Sequence, residues 1–163
     1  TVYLNVSAHT IMHQEFCKIF SRFVEENNIK ENEFGLEITE TAELEDTKKA
    51  GESLERLKKR GIKIALDDFG AGYASLKYIR DLPIDVVKLD RHFTSNISDP
   101  STSRLIKFVS DVCAELNLEM IGEGIETEKE KNMMIGLGCL TGQGFLMHMP
   151  SFIEDIKKEN NDG

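Results

Sequence analysis

Residues 62–75 read IKIALDDFGAGYAS. Five mostly apolar residues, Ile62 to Leu66, run into two adjacent acids, Asp67 and Asp68. A Gly-x-Gly loop follows at Gly70 and Gly72. An apolar run of this length, bounded by turn residues, predicts a buried strand. The two carboxylates stand where that strand ends, followed by the most flexible residue type.

Working outward, apolar runs and helical stretches alternate along the whole chain. VYLNV (2–6), FGLEI (34–38), IKIAL (62–66), DVVKL (85–89), LEMIG (118–122) and QGFLM (143–147) predict six strands. Helices are expected over 10–27, 44–60, 75–80 and 103–116. Thr127 and Glu130 have capping-box spacing, opening a helix to about Leu137. Strands followed by helical stretches imply right-handed βαβ units and a parallel sheet. Two α/β architectures fit: an open doubly wound sheet and a (β/α)8 TIM-type barrel. The polar residues near the strand ends are Asn5, Glu37, Asp67, Lys88, Glu123 and Gln143, 20 to 35 residues apart. A barrel unit averages about 31 residues. The spacing suits six barrel units, and 163 residues are too few for eight.

Lys and Arg number 20 and Asp and Glu 29, for a formal charge of −9. A nucleic-acid backbone needs a basic face, so DNA and RNA are not expected partners. A small anionic ligand held through metal ions stays open. No window resembles a membrane span or a signal peptide. Cys17, Cys113 and Cys139 are odd in number and far apart, which fits free thiols in a reducing cytoplasm.

In a barrel, Glu37, Asp67, Asp68, Glu123 and Glu126 would converge on the C-terminal mouth, where barrels carry their sites. Each acid alone is unremarkable as a helix cap or a solvated side chain. Together they are costly. A close like-charge pair costs roughly 1 kcal/mol in water and ~4 at an effective dielectric of 20. Lys88 is the single strand-end lysine available to offset them. Such a cluster needs cations or raised pKa values. Carboxylate and amide oxygens suit Mg²⁺ or Mn²⁺ rather than zinc, and adjacent carboxylates can serve two ions, an arrangement that recurs in phosphodiester hydrolysis. Other short matches fail. The DFG at 68–70 lacks a kinase Gly-rich loop, HTIMH (9–13) lacks the Glu of H-E-x-x-H, and GAG (70–72) is no dinucleotide fingerprint.

LNVS (4–7), LEITET (36–41), LDDFGAGYASL (66–76), LPIDVVKLD (82–90), GEGIET (122–127) and GQGFL (142–146) resemble, in order, the signature segments of the EAL domain. These are the bacterial cyclic di-GMP phosphodiesterases. The resemblance implies a (β/α)8-type barrel with one antiparallel strand, and Mg²⁺- or Mn²⁺-dependent hydrolysis of cyclic di-GMP to linear pGpG at a two-metal site. By the same resemblance, Asn5, Glu37, Asp67, Asp68 and Glu123 look like the metal set. Lys88 resembles the lysine that orients or helps deprotonate the attacking water. Glu126 and Gln143 look like supporting residues of that shell, so the catalytic group is Lys88, Glu123, Glu126 and Gln143. Glu40 resembles the anchor of the loop from Phe69 to Ser75, near the family's dimer interface. A homo-oligomer and flanking sensory or diguanylate cyclase-like domains in a parent protein are expected.

The family's Glu-Ala-Leu strand end and its substrate arginine have no match here. AEL (42–44) lies after LEITE rather than before NVS. Residues 1–163 therefore read as the C-terminal portion of the domain, from its third strand onward, with two of eight strands absent and the piece inactive alone. The competing readings are a non-catalytic cyclic di-GMP sensor or interaction module, and an unrelated metal-dependent barrel enzyme.

Overall fold

A computed structural model describes residues 1–39, 46–70 and 75–152. Six strands form one sheet: β1 (Val2–Asn5), β2 (Phe34–Thr39), β3 (Lys63–Phe69), β4 (Val86–Leu89), β5 (Glu119–Gly122) and β6 (Thr141–Gly142). They lie side by side in chain order, and every pairing is parallel. This order decides between the two expected architectures. A doubly wound sheet reverses direction at a switch point. A sheet that never reverses is an arc of a TIM-type barrel, here six strands long. The antiparallel strand implied by the resemblance is not among these six.

Period-2 alternation sorts the strand residues between two faces. Ile64 and Leu66 of β3, Val87 and Leu89 of β4 and Met120 of β5 point outward into the main core, where the helices cover them. Ala65, Val86 and Ile121 point inward and form a small second cluster with Tyr3. Two residues further along, the inward positions are Asp67 in β3, Lys88 in β4 and Glu123 just past the end of β5. The polar mouth is thus the continuation of the inner apolar layer, not an interruption of it. At the inner layer's other end Lys63 pairs with Glu119 at 3.0 Å.

The helices are α1 (Ala8–Met12), α2 (Gln14–Glu26), α3 (Thr47–Lys58), α4 (Ser75–Asp81), α5 (Arg91–Ser95), α6 (Pro100–Glu115) and α7 (Glu128–Gly136). Side-chain caps start several of them: Asp46 accepts from the Lys49 N–H, Asp99 from Thr102, and Thr127 and Glu130 form the expected capping box. Three expectations need correction. The stretch 10–27 is two helices, because extended backbone at His13 (φ −80°, ψ 118°) breaks the ladder. The short α5 was not anticipated, although Asp90 caps it through the His92 N–H. QGFLM does not form a strand. Pairing with β5 ends at Gly142, and Leu146 and Met147 fold back by donating to Ile125 and Gly144. His9 and His13 are both exposed, and no described helix is long and apolar enough to cross a membrane.

The three cysteines are free and buried. Burial pushes the Cys113 thiol up to about 11, with a further contribution from Cys139, and burial likewise pushes Cys139 to about 11. The thiolate is the reactive form. At pH 8 the native protein is expected to leave both unalkylated by iodoacetamide over an hour, whereas in 8 M urea both should react within minutes. Mass spectrometry of the two digests checks this, and labelling of either residue in the native state would contradict it.

Candidate metal centre at the barrel mouth

The centre begins with an irregularity in β3. Ala65 and Leu66 face Val86 and Val87 of β4, but Phe69 faces Leu89, so β3 holds one residue more than β4 over the same interval. That is a β-bulge at Asp67 and Asp68. Asp68 takes up the bend at φ +53°, in the left-handed region that Asp and Asn tolerate better than other side chains. In a flat strand adjacent residues point to opposite faces. With the bulge, Asp67 and Asp68 each bring an oxygen into one group with Glu123, all within 4.8 Å of one another.

Lys88 stands at the centre of the surrounding ring. Its Nζ lies 2.8 Å from Glu37 Oε1, 3.0 Å from Asp67 Oδ1 and 2.7 Å from Glu123 Oε1, and its side chain is 5% exposed. Burial alone would lower its pKa, but hydrogen bonds to Glu123 and Glu37 outweigh burial and the net shift is upward. Glu123 moves the same way for the opposite reason. Burial raises its carboxyl above the usual range, aided by Asp67 and Asp68, and Lys88 only partly offsets this. The Lys88–Asp67 contact is an ion pair by distance, yet Asp67 Oδ1 is buried and accepts no well-directed hydrogen bond. Glu123 Oε1 also accepts from Gln143 Nε2 at 2.6 Å.

Gln143 reaches Glu123 because the chain turns sharply after it. Gln143 N–H donates to Gly122 and Ile125 N–H to Gln143, locking the two segments together. Gly144 follows at φ +157°, and a Cβ there would collide with the Ile125 backbone. The turn that replaces the expected strand is what holds Gln143 beside Glu123.

The expected site residues therefore divide. Glu37, Asp67, Asp68, Lys88, Glu123 and Gln143 come together. Glu37 lies inside β2 rather than at its end, and is buried. Asn5 is exposed at the end of β1, in register with Glu37. Glu126 is exposed and lines a neighbouring cleft of about 480 Å³ with Asp68, Glu123 and Gln143. Glu40 and loop residues 71–74 lie outside the described residues. Sequence reading missed Arg91, a cation lining the same cleft. Its position two residues past β4 was the available signal.

A divalent cation fits this donor set. Asp67, Asp68 and Glu123 supply hard carboxylate oxygens, and Asp67 Oδ1, buried and paired with Lys88 by charge but not by a well-directed hydrogen bond, keeps acceptor capacity for a ligand.

The model of the EAL domain family matches residues 1–150. The chain belongs to the EAL domain family. A cyclic di-GMP phosphodiesterase of Pseudomonas aeruginosa is 33% identical to it over 155 residues, 94% of this chain and 26% of that protein. The EAL domain of Mycobacterium smegmatis DcpA superposes with a TM-score of 0.92 at 28% identity, over 99% of this chain and 73% of that one. Klebsiella pneumoniae BlrP1, solved as a complex with manganese and cyclic di-GMP, superposes at 0.81 and 25% identity, over 88% of this chain and 37% of that one. This EAL chain spans about a fifth to a quarter of the length of these and similar curated relatives.

Proposed function

We propose that the protein carrying this EAL chain hydrolyses one phosphodiester bond of cyclic di-GMP, giving linear pGpG, with two divalent cations, Mg²⁺ or Mn²⁺, held at the acid ring. The observation that carries this reading is the bulge that turns Asp67 and Asp68 toward Glu123, with their oxygens within 4.8 Å of one another. Four carboxylates, Glu37, Asp67, Asp68 and Glu123, stand against one ammonium, Lys88. Three negative charges remain, which would repel a phosphodiester. Two divalent cations reverse that balance, and when bound they supply Lewis-acid polarisation of a phosphoryl oxygen and an acidified water.

The chain's own groups do the rest. Asp67, Asp68 and Glu123 hold the cations, with Glu37 and Asn5 completing the set from β2 and β1. Lys88 keeps its proton and acts as a donor, orienting the attacking water and offsetting charge as it develops on the phosphoryl oxygens. Gln143 fixes the rotamer of Glu123 through the 2.6 Å hydrogen bond. Glu126 and Arg91 border the cleft where the substrate would enter. A homo-oligomer and flanking sensory or cyclase-like domains belong to the same proposal. So do a cytoplasmic location and Glu40 as anchor of the loop after Phe69.

The full-length protein carrying this chain, incubated with cyclic di-GMP and Mn²⁺, is expected to yield pGpG by ion-pair chromatography and to stop when EDTA is added. Tight binding of cyclic di-GMP without product under either metal would favour the sensor reading instead.

A further inference from the structure

On the outer helical layer, α2 and α3 enclose a groove of about 790 Å³. Lys18, Arg22, Arg56, Lys59 and Arg60 line it, and Glu25 is the one acid among its lining residues. A quarter of the chain's 20 basic residues thus meet on one groove of a chain whose formal charge is −9. Glu25 is engaged by Arg60, and Lys18 lies 2.9 Å from Glu15. Arg22, Arg56 and Lys59 have no ion-pair partner among the described residues.

Helical spacing accounts for the convergence. Lys18, Arg22 and Glu25 fall at i, i+4 and i+7 on one face of α2, while Arg56 lies in the last turn of α3 and Lys59 and Arg60 follow just past its end. Cations at a helix C-terminus offset its dipole, which gives Arg56 and Lys59 an ordinary role. It does not account for Arg22 and Lys18, which lie before the last turn of α2 and face the same groove. Helices of parallel βαβ units run against the strands. The C-terminal ends of α2 and α3 therefore lie toward the strand starts, away from the acid ring.

The lining narrows the ligand. Among the described residues that line it there is no aromatic or large apolar side chain, so it offers a base no ring to stack on and a peptide no apolar anchor pocket. It contains three guanidinium groups, whose forked donors match phosphate oxygens two at a time. Its volume is within the range of small-ligand sites. We infer that this groove is a second binding site, separate from the acid ring, for a small ligand carrying several phosphate charges and read through those phosphates alone. The inference does not depend on the phosphodiesterase reading. Free oligophosphate and nucleoside triphosphates share the required chemistry.

The test is an amide NMR titration of this chain with tripolyphosphate, ATP and GTP in parallel, at low salt with EDTA present to prevent metal-bridged binding at the acid ring. Shifts are expected around residues 17–25 and 56–61, with the three ligands binding alike. A marked preference for either nucleotide over tripolyphosphate would overturn readout through phosphates alone. The Arg22→Gln/Arg56→Gln double variant should bind tripolyphosphate at least ~10-fold more weakly by calorimetry. Lys107→Gln, an exposed cation on α6, should leave affinity unchanged. Shifts centred elsewhere on the wild-type chain, unaltered affinity in the folded double variant, or tighter binding of an oligoglutamate peptide would each overturn the inference.

Discussion

Replacing Lys88 with methionine is expected to lower the stability of the metal-free protein by about 3–5 kcal/mol, the usual cost of removing one partner from a buried ion pair. For a chain of this size that is a fall in Tm on the order of 10 °C, read by circular dichroism in EDTA. The reason is geometric. Lys88 touches three carboxylates at 2.7–3.0 Å, and its removal leaves them facing one another. Divalent metal should then recover most of the loss, because cations bound at the ring would replace the missing charge. An unchanged Tm in EDTA would contradict the role given to Lys88.

The same variant has a pH signature. Burial already holds the Glu123 carboxyl above its ordinary 4.5, and Lys88 is the main influence pulling it back. A carboxyl whose folded pKa is raised stabilises fully below its unfolded value and loses that contribution as pH rises through the folded value. Without Lys88 the folded value rises further. The stability deficit of Lys88→Met should therefore be smaller at pH 5 than at pH 8. A deficit that is equal at both would point to lost packing of the lysine stem rather than lost charge.

Asp68→Asn is expected to lower Mn²⁺ affinity at least ~100-fold, since even supporting residues of a metal site cost 10–100-fold. Turnover of cyclic di-GMP by the protein carrying this chain should fall with it. The fold should be unaffected. Asn tolerates the φ of +53° at this position as Asp does, so the bulge survives while the charge is lost. Asp68→Ala is the informative companion. It removes the same ligand but places a methyl side chain in the left-handed region, at a further cost of about 1–2 kcal/mol. Calorimetric Mn²⁺ titration and thermal melts of the two variants separate ligand loss from backbone strain. Normal metal binding by Asp68→Asn would remove Asp68 from the site.

Much of this was legible in the chain. The alternation of apolar runs with helical spacing located five strands to within a few residues. It also located the main helices, and the Thr127–Glu130 capping box is in place. The failures have local causes. QGFLM has the composition of a strand, but Gly144 at φ +157° and donation from Leu146 to Ile125 turn it into a loop. The 10–27 helix looked continuous because the apolar spacing carries straight through His13, where the backbone does not. Arg91 was passed over because a single cation after a strand has no pattern to stand out against.

Sequence by itself determined which residues could share the mouth of a barrel, because inward positions recur every second residue and strand ends recur with each βα unit. It could not say how those residues would be neutralised or oriented. Only the tertiary structure put Lys88 among Glu37, Asp67 and Glu123, inserted one residue into β3 so that Asp67 and Asp68 share a direction, and brought the cations of α2 and α3 onto one groove. The physical reason is common to all three. Local pattern sets which face a side chain takes, whereas distances between side chains on different elements depend on register, bulges and helix packing, which only the assembled sheet and its helices settle.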